Sequence, residues 1–103
     1  MIQVRDIFQV QFGRVKEAVN LWKEGLTLER KTGGGLMRSS RILTDLVGPT
    51  YYTLVLESTY DSLTDFEESA RSAMSNPEWR TWYQKVLPLT LNGHREIFNV
   101  IEE

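Results

Sequence analysis

Apolar residues recur along this chain in two rhythms, every second position or every third to fourth, and the switches between them mark its elements. Ile2, Val4, Phe8 and Val10 share one face of an alternating stretch from Ile2 to Gln11, with Asp6 interrupting that face. Gln3, Arg5, Ile7 and Gln9 share the other, so the stretch reads as a strand. After Gly13 the period becomes helical: Val15, Ala18, Val19, Trp22 and Leu26 form one apolar stripe, with Lys16, Glu17, Lys23 and Glu24 on the wet side. Gly33-Gly34-Gly35 ends that helix, because glycine readily takes the left-handed conformation of a C-cap. A strand follows from Leu36 to about Leu46, then a Gly48-Pro49 turn and a second strand from Tyr51 to Thr59. So short a connection predicts an antiparallel hairpin.

Asp61 or Ser62 then caps a helix, since Ser62-x-x-Asp65 approximates a capping box. Leu63, Phe66, Ala70 and Ala73 form its apolar stripe. Asn76-Pro77 restarts the chain as N-cap and first residue of a short third helix, in which Trp79, Trp82, Tyr83 and Val86 face one way until Pro88. Asn92-Gly93 reads as a turn and His94 to Ile101 as the last strand. The order β-α-β-β-α-(α)-β predicts an α+β fold of the ferredoxin-like, split β-α-β kind. It has a four-stranded antiparallel sheet with helices on one face, and residues 1–103 form a single domain.

That architecture raises a difficulty. Helices cover one face of the sheet, so the other ought to be polar. Yet Tyr52, Leu54 and Leu56 oppose Tyr51 and Val55 in one strand, and Ile97 and Ile101 oppose Phe98 and Val100 in the last. Ile7 and the Ile42/Leu43 pair add to both sides. Leaving such a face wet costs about 25 cal/mol per Å² of apolar surface. A second copy packed sheet on sheet, as an isologous homodimer, is the economical solution.

Composition narrows the chemistry. The 103 residues are 41% hydrophobic and 25% charged, values of a folded chain rather than a disordered one. There is no cysteine, which removes disulfides, Cys-ligated zinc, Fe–S clusters and a thiol nucleophile. The single histidine, His94, cannot form a two-histidine metal site within one chain, and no carboxylate spacing suggests a metal. The expectation is therefore no metal and no built-in cofactor. Residues 1–50 carry eight basic and five acidic side chains, residues 51–103 four and nine. Without a basic stripe, nucleic acid is not an expected partner. No apolar run approaches the roughly 20 residues of a membrane span and no signal-like segment is present, so a cytoplasmic protein without membrane contact is expected.

Several residues invite a chemical reading beside a plainer one. The three glycines follow a helix and enter a strand, whereas phosphate loops precede a helix; a C-cap is the better reading. His94 is the one side chain with an unperturbed pKa near neutrality, a natural general acid or base, but it sits at a strand start where a surface role is commoner. Trp22, Trp79, Trp82 and Tyr83 lie on two helical stripes facing the sheet, either as core or as the wall of a hydrophobic pocket between helices and sheet. Asp6, Arg5, Arg38 and Glu57 are charges predicted within a two-sided sheet, where they should pair or bind something. Glu67-Glu68 and Glu102-Glu103 read as solvated surface.

Three stretches carry a resemblance: Val10-Gln11-Phe12-Gly13-Arg14 leading into the Trp22 helix, Tyr60-Asp61-Ser62-Leu63-Thr64-Asp65-Phe66, and Asn76-Pro77-Glu78-Trp79-Arg80-Thr81-Trp82-Tyr83 with the later Arg95-Glu96-Ile97-Phe98. The chain resembles the dimeric α/β-barrel superfamily over essentially its whole length. It is most similar to the NIPSNAP-like branch and also to the antibiotic-biosynthesis-monooxygenase-like one. The resemblance implies a homodimeric barrel that binds a small hydrophobic molecule between helices and sheet. The alternatives are a cofactor-independent monooxygenase, or related isomerase, acting on an aromatic or polyketide-like substrate, and a structural dimerisation module without ligand. The monooxygenase branch holds planar substrates with Trp, Tyr, Asn and Arg. Here that implies Trp79, Trp82, Tyr51, Asn99 and Arg95, with Trp22 and Tyr83 beside them, although no catalytic motif matches residue by residue. Some barrels of the superfamily use a histidine in catalysis or as a haem ligand, which adds His94 to Arg95 as a catalytic candidate.

Overall fold

A computed structural model describes residues 1–102; Glu103 lies outside the described residues and Glu102 is exposed. The chain runs β1 (Ile2–Val10), α1 (Val15–Thr32), β2 (Ser39–Thr44), β3 (Thr53–Tyr60), α2 (Leu63–Met74), α3 (Pro77–Val86), a 3₁₀ turn (Leu87–Leu89) and β4 (Thr90–Asn99). The four strands form one antiparallel sheet in the order β2-β3-β1-β4. This is the ferredoxin-like arrangement, with the helices on one face. Among the described residues no helix is long and apolar enough to cross a membrane.

The helix starts follow their local chemistry. Ser62 Oγ accepts from the Asp65 amide and Asn76 Oδ1 from the Glu78 amide, so both caps stand where the sequence puts them. Pro77 occupies the first turn of α3, where no amide partner is needed. Of the stripe expected for α2, Phe66 and Ala73 are buried and Ala70 is half-buried, while Leu63 is exposed and Ser69 is buried in addition. Gly33 caps α1 at φ −87°, with the left-handed conformations at Gly34 and Gly35. A side chain at Gly33 would lie 2.6 Å from both the Glu29 carbonyl and Ser69 Oγ, so that glycine lets α2 approach the end of α1.

The strands differ from their sequence bounds in two instructive places. Tyr51 and Tyr52 precede β3, and Tyr52 takes φ +60° in the β2–β3 connection, which removes both from the strand alternation. Asn92-Gly93 is no turn. It lies inside β4, where Gly93 pairs with Phe8, and a Cβ there would stand 2.5 Å from Phe8 Cδ1. The glycine is a gap for an aromatic ring on the neighbouring strand.

The register sorts the two faces. On the helix side, Val4, Val10, Leu54, Leu56 and Tyr60 are buried with Ala18, Leu26, Phe66 and Leu89. On the open side, Leu43, Val55, Ile7 and His94 form one row across the sheet, and Arg41, Glu57, Arg5 and Glu96 the next. Glu57 is only 3% exposed there, covered by the arginines that bind it: Arg5 Nη2 at 2.7 Å and Arg41 Nε at 2.5 Å. Burial alone would raise the pKa of Glu57, but the hydrogen bonds and charges of the two arginines outweigh it and hold the carboxyl below its ordinary value.

Candidate functional site

The helix face of the sheet and the helices enclose a cavity of about 300 Å³. Strand alternation sets its floor. Asp6 and Phe8 of β1, Leu56 and Ser58 of β3, and Arg95 of β4 all point to the helix side, and Asp6 stands directly opposite both Leu56 and Arg95. The sequence reads Asp6 as the interruption of an apolar face that should find a partner, and Arg95 is that partner, its Nε donating to Asp6 Oδ1 at 2.6 Å.

Aromatic rings build the walls. Trp22 of α1 stacks on Phe8 with centroids 5.0 Å apart, and Trp82 of α3 meets it edge-on at 4.6 Å. Trp79 lies 4.7 Å from Trp82. Trp82 is fixed further by its indole N–H, which donates to the Leu21 carbonyl at 2.6 Å, and by Gly25, whose missing side chain admits the ring. Ala70 and Ala73 of α2 leave the volume unfilled. Met74, Tyr83 and Leu87, each about half exposed, mark one opening of the cavity, and Arg95, 53% exposed, also reaches solvent.

The inner end is polar. Glu29 continues the α1 stripe seven residues beyond Trp22, and its Oε1 accepts from the Tyr60 hydroxyl at 2.9 Å. Tyr60 itself is fully buried. Desolvation raises the Glu29 pKa. The Tyr60 hydrogen bond opposes that shift, Asp6 adds to it, and the charges of Arg95 and Arg30 oppose it. The Tyr60 hydroxyl is pushed well above its ordinary value by burial and by the neighbouring Glu29. A carboxyl whose pKa is raised beside aromatic rings is a group that can accept and return a proton.

Of the residues singled out from the sequence, Trp22, Trp79, Trp82, Tyr83 and Arg95 line this cavity. Three others do not. Tyr51 is exposed in the β2–β3 connection, His94 lies on the open face opposite Ile7, and Asn99 pairs with Ile2 at the far end of the sheet. Glu29, Tyr60, Phe8 and Phe66 were not singled out as site residues. Glu29 carries a readable signal, an acid three residues after Leu26 on an otherwise apolar helical stripe. Among the described residues, no group of three or more His, Cys, Asp or Glu side chains could hold a metal ion.

No family model matches the sequence, and no curated protein matches it. Solved structures do match the fold. A NIPSNAP domain protein from Burkholderia xenovorans superposes with a TM-score of 0.83 over 98% of this chain and 95% of that one, at 16% identity. A NIPSNAP family protein from Agrobacterium tumefaciens gives 0.83 over 98% and 86%, at 18% identity. SnoaB, a cofactor-independent oxygenase from Streptomyces nogalater, gives 0.73 over 99% and 94%, at 12% identity. At these identities the likeness is one of fold: the chain has the ferredoxin-like architecture of NIPSNAP domain proteins and of the oxygenase SnoaB.

Proposed function

We propose that this protein binds a small hydrophobic, planar molecule in the cavity between helices and sheet. The observation that carries this reading is that all three tryptophans of the chain, Trp22, Trp79 and Trp82, line a single void of about 300 Å³. That volume is in the range of small-molecule sites, and an apolar wall with a few convergent polar groups is their usual makeup. Titration with 4-nitrotoluene, an apolar quencher, tests it through tryptophan fluorescence. Saturable quenching is expected in the native chain and its loss in Ala70→Phe, which fills the void. Linear, unsaturable quenching alike in both proteins refutes the reading.

The working unit in this proposal is a homodimer joined through the open sheet faces. Its support is the apolar row of Leu43, Val55 and Ile7, with Phe98 further along the same face beyond the Arg41–Glu57–Arg5 row, a surface that a second copy would remove from water. A monomer mass by light scattering at micromolar concentration overturns it.

A second reading, oxygenation of an aromatic or polyketide-like substrate without a cofactor, is favoured by one feature, the Glu29 carboxyl inside the aromatic cavity. It also agrees with the fold shared with SnoaB. Oxygen uptake with a panel of polycyclic phenols separates it from simple binding. Uptake abolished by Glu29→Gln supports the enzyme, and binding without uptake rejects it.

A further inference from the structure

The charged groups of the cavity lining are Asp6, Glu29 and Arg95, and they are unequally occupied. Arg95 directs its Nε to Asp6 and lays its guanidinium over the Phe66 ring, 5.0 Å from the centroid. Glu29 Oε1 takes the Tyr60 hydroxyl, while Oε2 receives no hydrogen bond from any described residue. Of the neutral polar groups, the Thr90 hydroxyl is turned to the Val86 carbonyl at 3.2 Å, Ser58 and, at the mouth, Tyr83 can donate or accept, and the Trp22 and Trp79 indoles carry N–H donors along the wall. An ionised carboxylate only accepts. The polar end therefore presents Glu29 Oε2 as an unpaired acceptor, and the Nε of its one cation is given to Asp6.

From this asymmetry we propose that the cavity selects a planar aromatic bearing a hydroxyl group, with Glu29 Oε2 as the acceptor for that hydroxyl. The inference rests on the reading of the cavity as a binding site. A hydrocarbon of the same shape leaves Oε2 desolvated and unpaired. An aromatic carboxylate meets the like charges of Glu29 and Asp6 and must share Arg95 with Asp6. Sites built around such a buried polar group discriminate strongly against the analogue that lacks the matching atom. The charged and titratable groups that surround Glu29 are Tyr60, Asp6, Arg95 and Arg30.

Equilibrium dialysis of the full chain at pH 7 against 2-naphthol, 2-methylnaphthalene and 2-naphthoate tests the assignment. In the native chain 2-naphthoate binds weakest of the three. Glu29→Gln keeps the shape, but its single carbonyl oxygen stays with Tyr60 and its amide N–H groups face the void. The affinity ratio of 2-naphthol to 2-methylnaphthalene then falls about tenfold, the scale of one charge-assisted hydrogen bond, and 2-naphthoate gains. Glu17→Gln removes a carboxylate from the exposed side of α1, away from the cavity, and keeps the native ratio. A ratio unchanged by Glu29→Gln, or tightest binding of 2-naphthoate by the native chain, overturns the proposal while the cavity reading stands. Binding of none of the three overturns both.

Discussion

Replacing Gly25 by alanine should destabilise the protein, although the same change in most helices stabilises it. Gly25 lies within α1, where alanine gains about 1 kcal/mol in backbone entropy and helix propensity. Against that gain stands Trp82. A Cβ at position 25 would sit 2.4 Å from Trp82 Cζ2, 2.7 Å from Cε2 and 3.1 Å from Cη2. The ring is held in place by Trp22 and Trp79 at 4.6 and 4.7 Å and by its N–H to Leu21, so yielding toward the cavity would cost that hydrogen bond and those contacts. Overpacking of this kind costs about 1–3 kcal/mol, and a lost buried indole hydrogen bond adds about 1 kcal/mol. The net expectation is a loss of about 2 kcal/mol, or roughly 10 °C in Tm for a chain of this size. Urea unfolding followed by far-ultraviolet circular dichroism measures it. The pair Gly25→Ala and Trp82→Phe completes the cycle: with the larger ring gone, alanine should show its ordinary stabilising effect. A Gly25→Ala protein more stable than the native one by about 1 kcal/mol, its full helical gain, would show that Trp82 does not rest on α1.

Gly93→Ala should lose about 1–3 kcal/mol, because its Cβ would meet the Phe8 ring at 2.5 Å and the Ile7 carbonyl at 3.3 Å; thermal denaturation reads this directly. Gly34→Ala, with nothing within 4 Å but φ at +79°, should lose about 1 kcal/mol through backbone strain alone. Tyr60→Phe removes the donor to Glu29 and should cost about 1–2 kcal/mol. It also raises the Glu29 pKa further, which carbon-detected NMR of the carboxyl would follow. Glu57 has a folded pKa below its ordinary 4.5, so the stability it contributes is fully present above that value and fades as pH falls through the folded one. Glu29, shifted upward, acts in the opposite sense, its cost appearing as pH rises through its folded pKa. Glu57→Gln should therefore be less stable than the native chain at pH 7, and the gap should close as pH falls through the folded pKa of Glu57. Parallel stability curves for the two proteins would contradict the Arg5–Glu57–Arg41 arrangement.

The fold was legible in the sequence because its signals are local. Ser62 and Asn76 cap helices through amides two or three residues away, and the α1 stripe repeats within a few turns. Of the misread places, Asn92-Gly93 is the one that a distant residue decides. Asn92-Gly93 has the composition of a turn, yet Phe8, far away in sequence, makes that glycine a strand position. Leu63 fits a helical stripe but falls at the first turn of α2, beyond the edge of the sheet-facing surface, and stays wet.

The site divides along the same line. Its aromatic wall could be read from helical spacing, since Trp79, Trp82 and Tyr83 share one element and point one way whatever they touch. Its polar end could not, because each group there takes its character from a partner on another element. Asp6 is a flaw in an apolar face until Arg95 closes across two strands, and Glu29 is a surface acid until Tyr60 rises under α1 to meet it. Periodicity reports which side of an element a residue faces; it is silent on what stands opposite. Trp82 joins the two levels, since its place against Gly25 fixes the wall, and the wall keeps water from the Glu29 carboxyl. A substitution that moves that ring should therefore change stability and proton affinity together. Gly25→Ala should lower the Glu29 pKa toward its ordinary value as water enters, and an unchanged pKa would separate the wall from the chemistry of the floor.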